Sequence, residues 1–265
     1  MDRTGILNKS PLIYTLASVR FAPWPLLSQK IAEIHDSLRE ITPIIHEVQI
    51  KQFGPDNQES VISAWMLLSK DRTLGIYLLS EQLLVFSSKY SRYSKFSETL
   101  DKALGALFFH MRFIDVTNMG MRYIDRINIQ ESESFQDYIS EKLLPAKLAG
   151  LQVRGGTSLV NFEQGDTELR VRCITNPEDL AFPIDIIELL SMAQGPQKPL
   201  TFEKLNGKSL LLDIDALKTF SEPEHIKDKG NILRQLLALH EKANIFFRHE
   251  NVCTDHAFNI WKGKV

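Results

Sequence analysis

The chain is poor in cysteine, has no long apolar run and carries almost no excess of charge. Its two cysteines, Cys173 and Cys253, lie far apart and form no CxxC or CxxH unit, so the usual thiolate zinc units are missing. Cys173 falls on an alternating strand pattern and reads as a buried free thiol; sparse, unpaired cysteine fits the cytoplasm better than an oxidising compartment. No apolar stretch approaches the ~20 residues that a membrane-spanning helix needs, and Met1 to Ser10 hold no signal-peptide core. The expectation is a cytoplasmic protein without membrane association. With 31 basic and 33 acidic residues the net charge is −2, so no global field draws the chain to nucleic acid, which is an unfavoured partner. GxxxxGK[ST], GxGxxG, HExxH and GxSxG are all absent, and with them the common signatures of nucleotide-binding and hydrolytic enzymes. No cofactor is expected.

What is present is an ordinary globular composition, 43% hydrophobic and 24% charged over 265 residues. Pro11 to Ala22 alternates as a strand, stopped by Pro23-Trp24-Pro25, and Leu27, Ile31, Ile34 and Leu38 then fall at helical spacing. His46–Phe53, Val61–Ser69, Leu74–Leu79 and Leu83–Ser88 read as short strands joined by polar turns, the first closed by Gly54-Pro55-Asp56-Asn57. Ser94 to Arg112 is the clearest helix, with Phe96, Leu100, Ala103, Leu104, Leu107, Phe108 and Met111 in one stripe and Ser94 placed to cap it.

Asn118 to Gln130 is the strand around which this order turns. Alternation puts Met119, Met121, Tyr123, Asp125, Ile127 and Ile129 on one face, and Gly120, Arg122, Ile124, Arg126 and Asn128 on the other. Beyond it, Ser134 can cap a helix holding Phe135, Tyr138, Ile139 and Leu143. Thr157–Phe162 and Glu168–Thr175 flank a turn at Gln164-Gly165-Asp166. Ile184–Met192 is read as a strand and Gln194–Gly207 as a long loop; Ser209–Leu217 is a strand, and a last helix spans Lys229 to His249. The tail brings Phe258, Ile260 and Trp261 to dock on the body. Residues 1–117 and 118–265 thus share one order: strand, helix, several strands, long amphipathic helix. The fold class expected is α+β, with antiparallel sheet covered by helices on one face and a pseudo-twofold repeat of the two halves.

Pro11–Phe21 (PLIYTLASVRF), Met121–Ile127 (MRYIDRI), Leu211–Asp215 (LLDID) and the L-x-x-L-H ending at Leu239-His240 resemble a sporadically distributed family of uncharacterised bacterial proteins of similar length. The resemblance covers nearly the whole chain; Arg122, Tyr123, Asp125 and Arg126 match its middle motif, while Ile245 to Asn251 departs from its phenylalanine-glutamate pattern. It implies a layout and no chemistry.

Few residues carry candidate chemistry. Asp213 and Asp215 project to one strand face, where two carboxylates could share a divalent cation; a half-exposed strand gives the same alternation. Asp125, ionised on an apolar face, calls for an arginine or backbone partner and reads as half of a structural ion pair. Arg122 and Arg126, with Tyr123, are candidates to bind a ligand or partner, since two guanidiniums on one face can grip a carboxylate or phosphate. His240, on the apolar side of its helix, reads as a hydrogen-bonded core residue. Lys89, Tyr90, Arg92, Tyr93 and Lys95 interleave cations with aromatic rings, a pattern suited to nucleic acid and equally to a solvated loop. His249, Cys253 and His256 match no standard zinc spacing. The reading favoured is a non-enzymatic binding protein that offers a concave sheet face to a partner protein or small ligand, with a homodimer among the assemblies it admits. The alternatives are a metal-assisted hydrolase or nuclease using Asp213 and Asp215, and a nucleic-acid-binding module.

Overall fold

The computed structural model describes residues 3–53, 59–194 and 201–263. The turn at Gly54-Pro55-Asp56-Asn57 and residues 195–200 of the long loop lie outside them. Strands β1 (Leu12–Phe21), β2 (Ile44–Phe53), β3 (Glu59–Leu68), β4 (Leu74–Leu79), β5 (Gln82–Ser87), β6 (Ile114–Asn128), β7 (Thr157–Gln164), β8 (Thr167–Ile174) and β9 (Ser209–Ile226) make one antiparallel sheet, ordered β2-β3-β4-β5-β1-β6-β9-β8-β7. Helices are α1 (Leu27–Leu38), α2 (Tyr93–His110), α3 (Ile184–Gln194), α4 (Lys229–Phe247) and α5 (Asp255–Lys262). The fold is therefore α+β, and the two stretches join in a single sheet. Among the described residues no helix is long and apolar enough to cross a membrane.

Pairing follows one rule on both sides of the centre. β1 pairs with β5, and β6 pairs with β9, so the first strand of each stretch returns to meet its last. β1 and β6 then pair with each other, from Leu12↔Asp125 to Phe21↔Val116. β6 is consequently covered at both edges, and its alternation divides its side chains between two buried faces.

Each face has its own core. Met119, Met121, Tyr123 and Ile127 of β6 join Leu210, Leu212 and Ile214 of β9 in a cluster that also takes in the buried residues of α1, α2, α4 and α5. Ile124 and Leu211, out of phase with them, belong to a second cluster with Tyr14, Met66, Phe86 and the buried Ile186, Leu189 and Ala193 of α3. Helix α3 therefore packs on the opposite face from the other four. The strand expected at Ile184–Met192 is this helix: Asp185, Glu188 and Ser191 recur every third residue, which is a helical and not an alternating period.

Two further expectations shift. The helix after Ser134 is reduced to 3-10 turns at Phe135–Asp137 and Glu141–Leu143; Ser134 caps the first through a capping box with Asp137. Helix α2 starts at Tyr93 with Arg92 at its N-cap and no capping side chain, so Ser94 is already inside it. The tail docks as expected, with Phe258 and Trp261 buried on α5.

Gly75 of β4 faces Phe86 of β5 in register, and a Cβ there would come 2.1 Å from the Phe86 ring. Gly75→Ala should therefore destabilise the fold by ~1–3 kcal/mol through overpacking, read as a lower urea midpoint at unchanged slope; an unshifted midpoint would contradict this packing.

Candidate functional site

The faces of β6 separate its charges. On the α3 side, Arg122 is 7% exposed and Asp213 is 1% exposed. Arg122 donates to both oxygens of Asp213, Nε to Oδ1 at 2.8 Å and Nη2 to Oδ2 at 2.9 Å. Its Nη1 also donates to Asp185 of α3, and Arg172 of β8 donates from Nε to Asp213 Oδ2 at 2.8 Å. Burial alone would weaken the Arg122 charge, but its hydrogen bonds and attraction to Asp213 and Asp185 hold the guanidinium pKa above its ordinary value. Arg122 is thus the junction of β6, β9, β8 and α3.

This arrangement answers the metal expectation. Asp213 and Asp215 do share a face, but the oxygens of Asp213 are taken by two arginines whose charge repels a cation. Asp215 lies in register with Arg122 and Arg170; burial first, with the charge of Asp213, raises its pKa to about 6 against the pull of Arg122. Among the described residues no group of three or more His, Cys, Asp or Glu side chains could hold a metal ion. Arg126 donates to Glu203 at 3.0 Å and does not converge with Arg122 on a common ligand, while its Nε is buried without a hydrogen-bond partner among the described residues.

Asp125 faces the other way. Its residue is 4% exposed, and among the described residues no cation and no hydrogen-bond donor reaches its carboxyl. The expected ion pair is replaced by isolation, because the strand turns both neighbouring arginines to the far side of the sheet. Burial, followed by the negative charge of Asp213 across the sheet, raises the Asp125 pKa to about 8.

The carboxyl lines a pocket of about 650 Å³. Tyr123 and Ile214 form its floor with Asp125; α4 supplies His240, Ala243 and Phe247, the approach to α2 supplies Tyr90 and Arg92, and the first turn of α2 supplies Tyr93. The Tyr123 hydroxyl and His240 Nδ1 share a hydrogen bond of 2.7 Å, and the Tyr93 ring stacks on His240 at 4.2 Å. Tyr90 meets Tyr123 edge-on at 6.1 Å. Burial, then the nearby Arg248 charge, lowers the His240 pKa to about 4. Acid and imidazole are both uncharged at neutral pH.

The last wall is a strap through Gly5, Ile6, Leu7, Asn8 and Ser10. Arg3 anchors it by donating to Asp255 at 3.0 Å and to the Cys253 carbonyl at 2.6 Å. Arg248 donates to the carbonyls of Arg3 and Gly5, the latter at 3.0 Å, and Lys9 N–H donates to the Trp261 carbonyl at 2.8 Å.

The Lys89–Lys95 cluster does not present a stacking surface. Lys89 pairs with Asp71 at 2.9 Å and Lys95 with Glu98 at 3.0 Å, while Tyr90 and Tyr93 turn into the pocket. Ser91 and Arg92 stand exposed at the rim of the pocket. His240, read as a hydrogen-bonded core residue, is bonded and also lines the cavity. Asp185, Arg172, Glu203 and the strap were not singled out from the sequence. Arg172 could have been, since it falls on the reverse of the apolar Leu169, Val171 and Cys173 face. No protein-family model matches the chain, and no curated protein is significantly similar to it.

Two outcomes follow from the geometry. Asp213→Ala should cost ~3–5 kcal/mol by stranding two arginines, while Mn²⁺ and EDTA leave the wild-type melting temperature unmoved; a Mn²⁺ shift lost in the variant would restore the metal reading. For Asp125 the sign runs against alkaline stability. Its folded pKa of about 8 lies above the unfolded value of ~3.9, so the native state binds the extra proton between them and stability falls as pH rises through that window. Asp125→Asn should therefore raise Tm more at pH 8 than at pH 4.5, and an equal change at both would contradict the assignment.

Proposed function

We propose that this is a binding protein that takes a small organic molecule into the pocket over β6 and β9. The observation that carries this is Asp125: a residue 4% exposed, whose carboxyl has no partner among the described residues, at the floor of a cavity of about 650 Å³. An unpaired buried polar group costs ~1–3 kcal/mol or more, so it persists where something outside the chain uses it. The size falls in the ordinary range for small-molecule sites, and the lining mixes aromatic and apolar side chains with polar ones. A titratable group strongly shifted by desolvation inside a cleft supports the same reading.

The strap forms one wall of the pocket. Its backbone is held by Arg248 and by α5, so a ligand enters by displacing a few hydrogen bonds and no core element. The sheet face expected to meet a partner is then a floor for a small molecule. The shared order of pairing on either side of the β1–β6 junction supports treating residues 1–117 and 118–265 as halves of a repeat, with the pocket on the second half's central strands.

A fragment screen by thermal shift tests this. Compounds that stabilise the wild-type protein should lose that effect in Ala243→Phe, which places a ring in the cavity from α4, while the variant keeps the wild-type circular dichroism spectrum. Hits that stabilise both proteins equally would place binding elsewhere and overturn the proposal.

A further inference from the structure

Resting on the reading of the pocket as a ligand site, we propose that its ligand is an organic cation, an ammonium or amidine on a flat apolar body, whose charge pairs with the Asp125 carboxylate.

The polar groups of the pocket separate into satisfied and unsatisfied. His240 Nδ1 is bonded to the Tyr123 hydroxyl. The Arg248 guanidinium donates to Asn244 Oδ1 at 2.8 Å and to the strap carbonyls. Among the described residues two deep groups have no partner, the Tyr93 hydroxyl and the Asp125 carboxyl, and of these Asp125 is the one that can carry charge near neutral pH. A carboxylate in that position is stabilised most by a group that brings both charge and N–H donors, because Coulomb attraction is strongest where water is excluded. Three tyrosine rings line the same chamber, and aromatic rings attract cations at ~0.5–2 kcal/mol each. A flat body finds apolar surface on Ile6, Leu7 and Phe247.

The groups that face Asp125 set the proton count. Tyr123 stands on its own strand; Tyr90 and Arg92 come from the approach to α2 and Tyr93 from its first turn, while His240 comes from α4 and Arg248 from its C-cap. Cys253 lies close enough for Asp125 to raise its pKa, and Asp213 acts through the sheet. The tyrosines and the thiol are protonated at pH 7, and His240 is neutral, so Asp125 is the group that changes state. Asp125 must therefore lose its proton when the cation enters, and the proton leaves to solvent.

The test is isothermal titration at pH 7 in two buffers of different ionisation enthalpy, with benzamidine, its neutral isostere benzamide and the anion benzoate as probes. Benzamidine should bind at least ten-fold more tightly than either, with release of about one proton. Asp125→Asn should lose ten-fold or more of the benzamidine affinity and leave benzamide unchanged. Benzamide or benzoate binding as tightly as benzamidine overturns the cation assignment, as does benzamidine binding without proton release. No binding by benzamidine overturns it as well, and the separate comparison of fragment hits on wild type and Ala243→Phe then reports whether the pocket binds anything. Proton release is read on the wild-type protein, so the outcome does not depend on the variant folding.

Discussion

The ion pair between Arg122 and Asp213 is the interaction on which the rest of the molecule turns. It is buried, bidentate and extended by Arg172 and Asp185, so it binds three adjacent strands and the helix above them. A buried pair of this kind is tolerable only when every donor and acceptor is used, and here the network supplies partners on both sides. It also fixes α3, whose apolar residues alone give a modest contact with the sheet. By holding the arginine charge on one face, it leaves Asp125 on the other face with none.

That separation is a consequence of backbone geometry. Arg122 and Asp125 are three residues apart on a strand, and an odd separation sends their side chains to opposite sides. In a helix the same spacing would have brought them together. β6 is hydrogen-bonded at both edges, so it cannot slip in register to pair them without exchanging its whole apolar set. The isolated carboxyl is therefore enforced by the sheet, and a local conflict of this sort is where function tends to reside.

Much of this was legible in the sequence. The two faces of Asn118–Gln130 were readable because strict alternation has one geometric meaning; the long stripe of α2 likewise identified a core helix. The oddity of Asp125 was visible, although its resolution was not: a strand's alternation states which face a residue takes, and is silent on what stands across the gap. Asp185 sits 63 positions from Arg122 in a segment whose polar residues recur every third place, and reading that segment as a strand concealed it. Tyr90 and Tyr93 were recognisable as rings between cations, yet their inward direction is set by α2 and α4 closing over β6. The strap residues Gly5 to Ser10 have no periodicity, so nothing local marked them as a pocket wall.

The central claim is that Asp125 is a neutral acid in an open chamber, and it is tested most directly by a carbon-13 NMR titration of aspartate side-chain carboxyls, with the Asp125 resonance assigned by its loss in Asp125→Asn. The account predicts an apparent pKa of about 8 in the free protein. A value in the ordinary aspartate range, ~3.5–4, would mean that the carboxyl is solvated or paired, and would contradict the account.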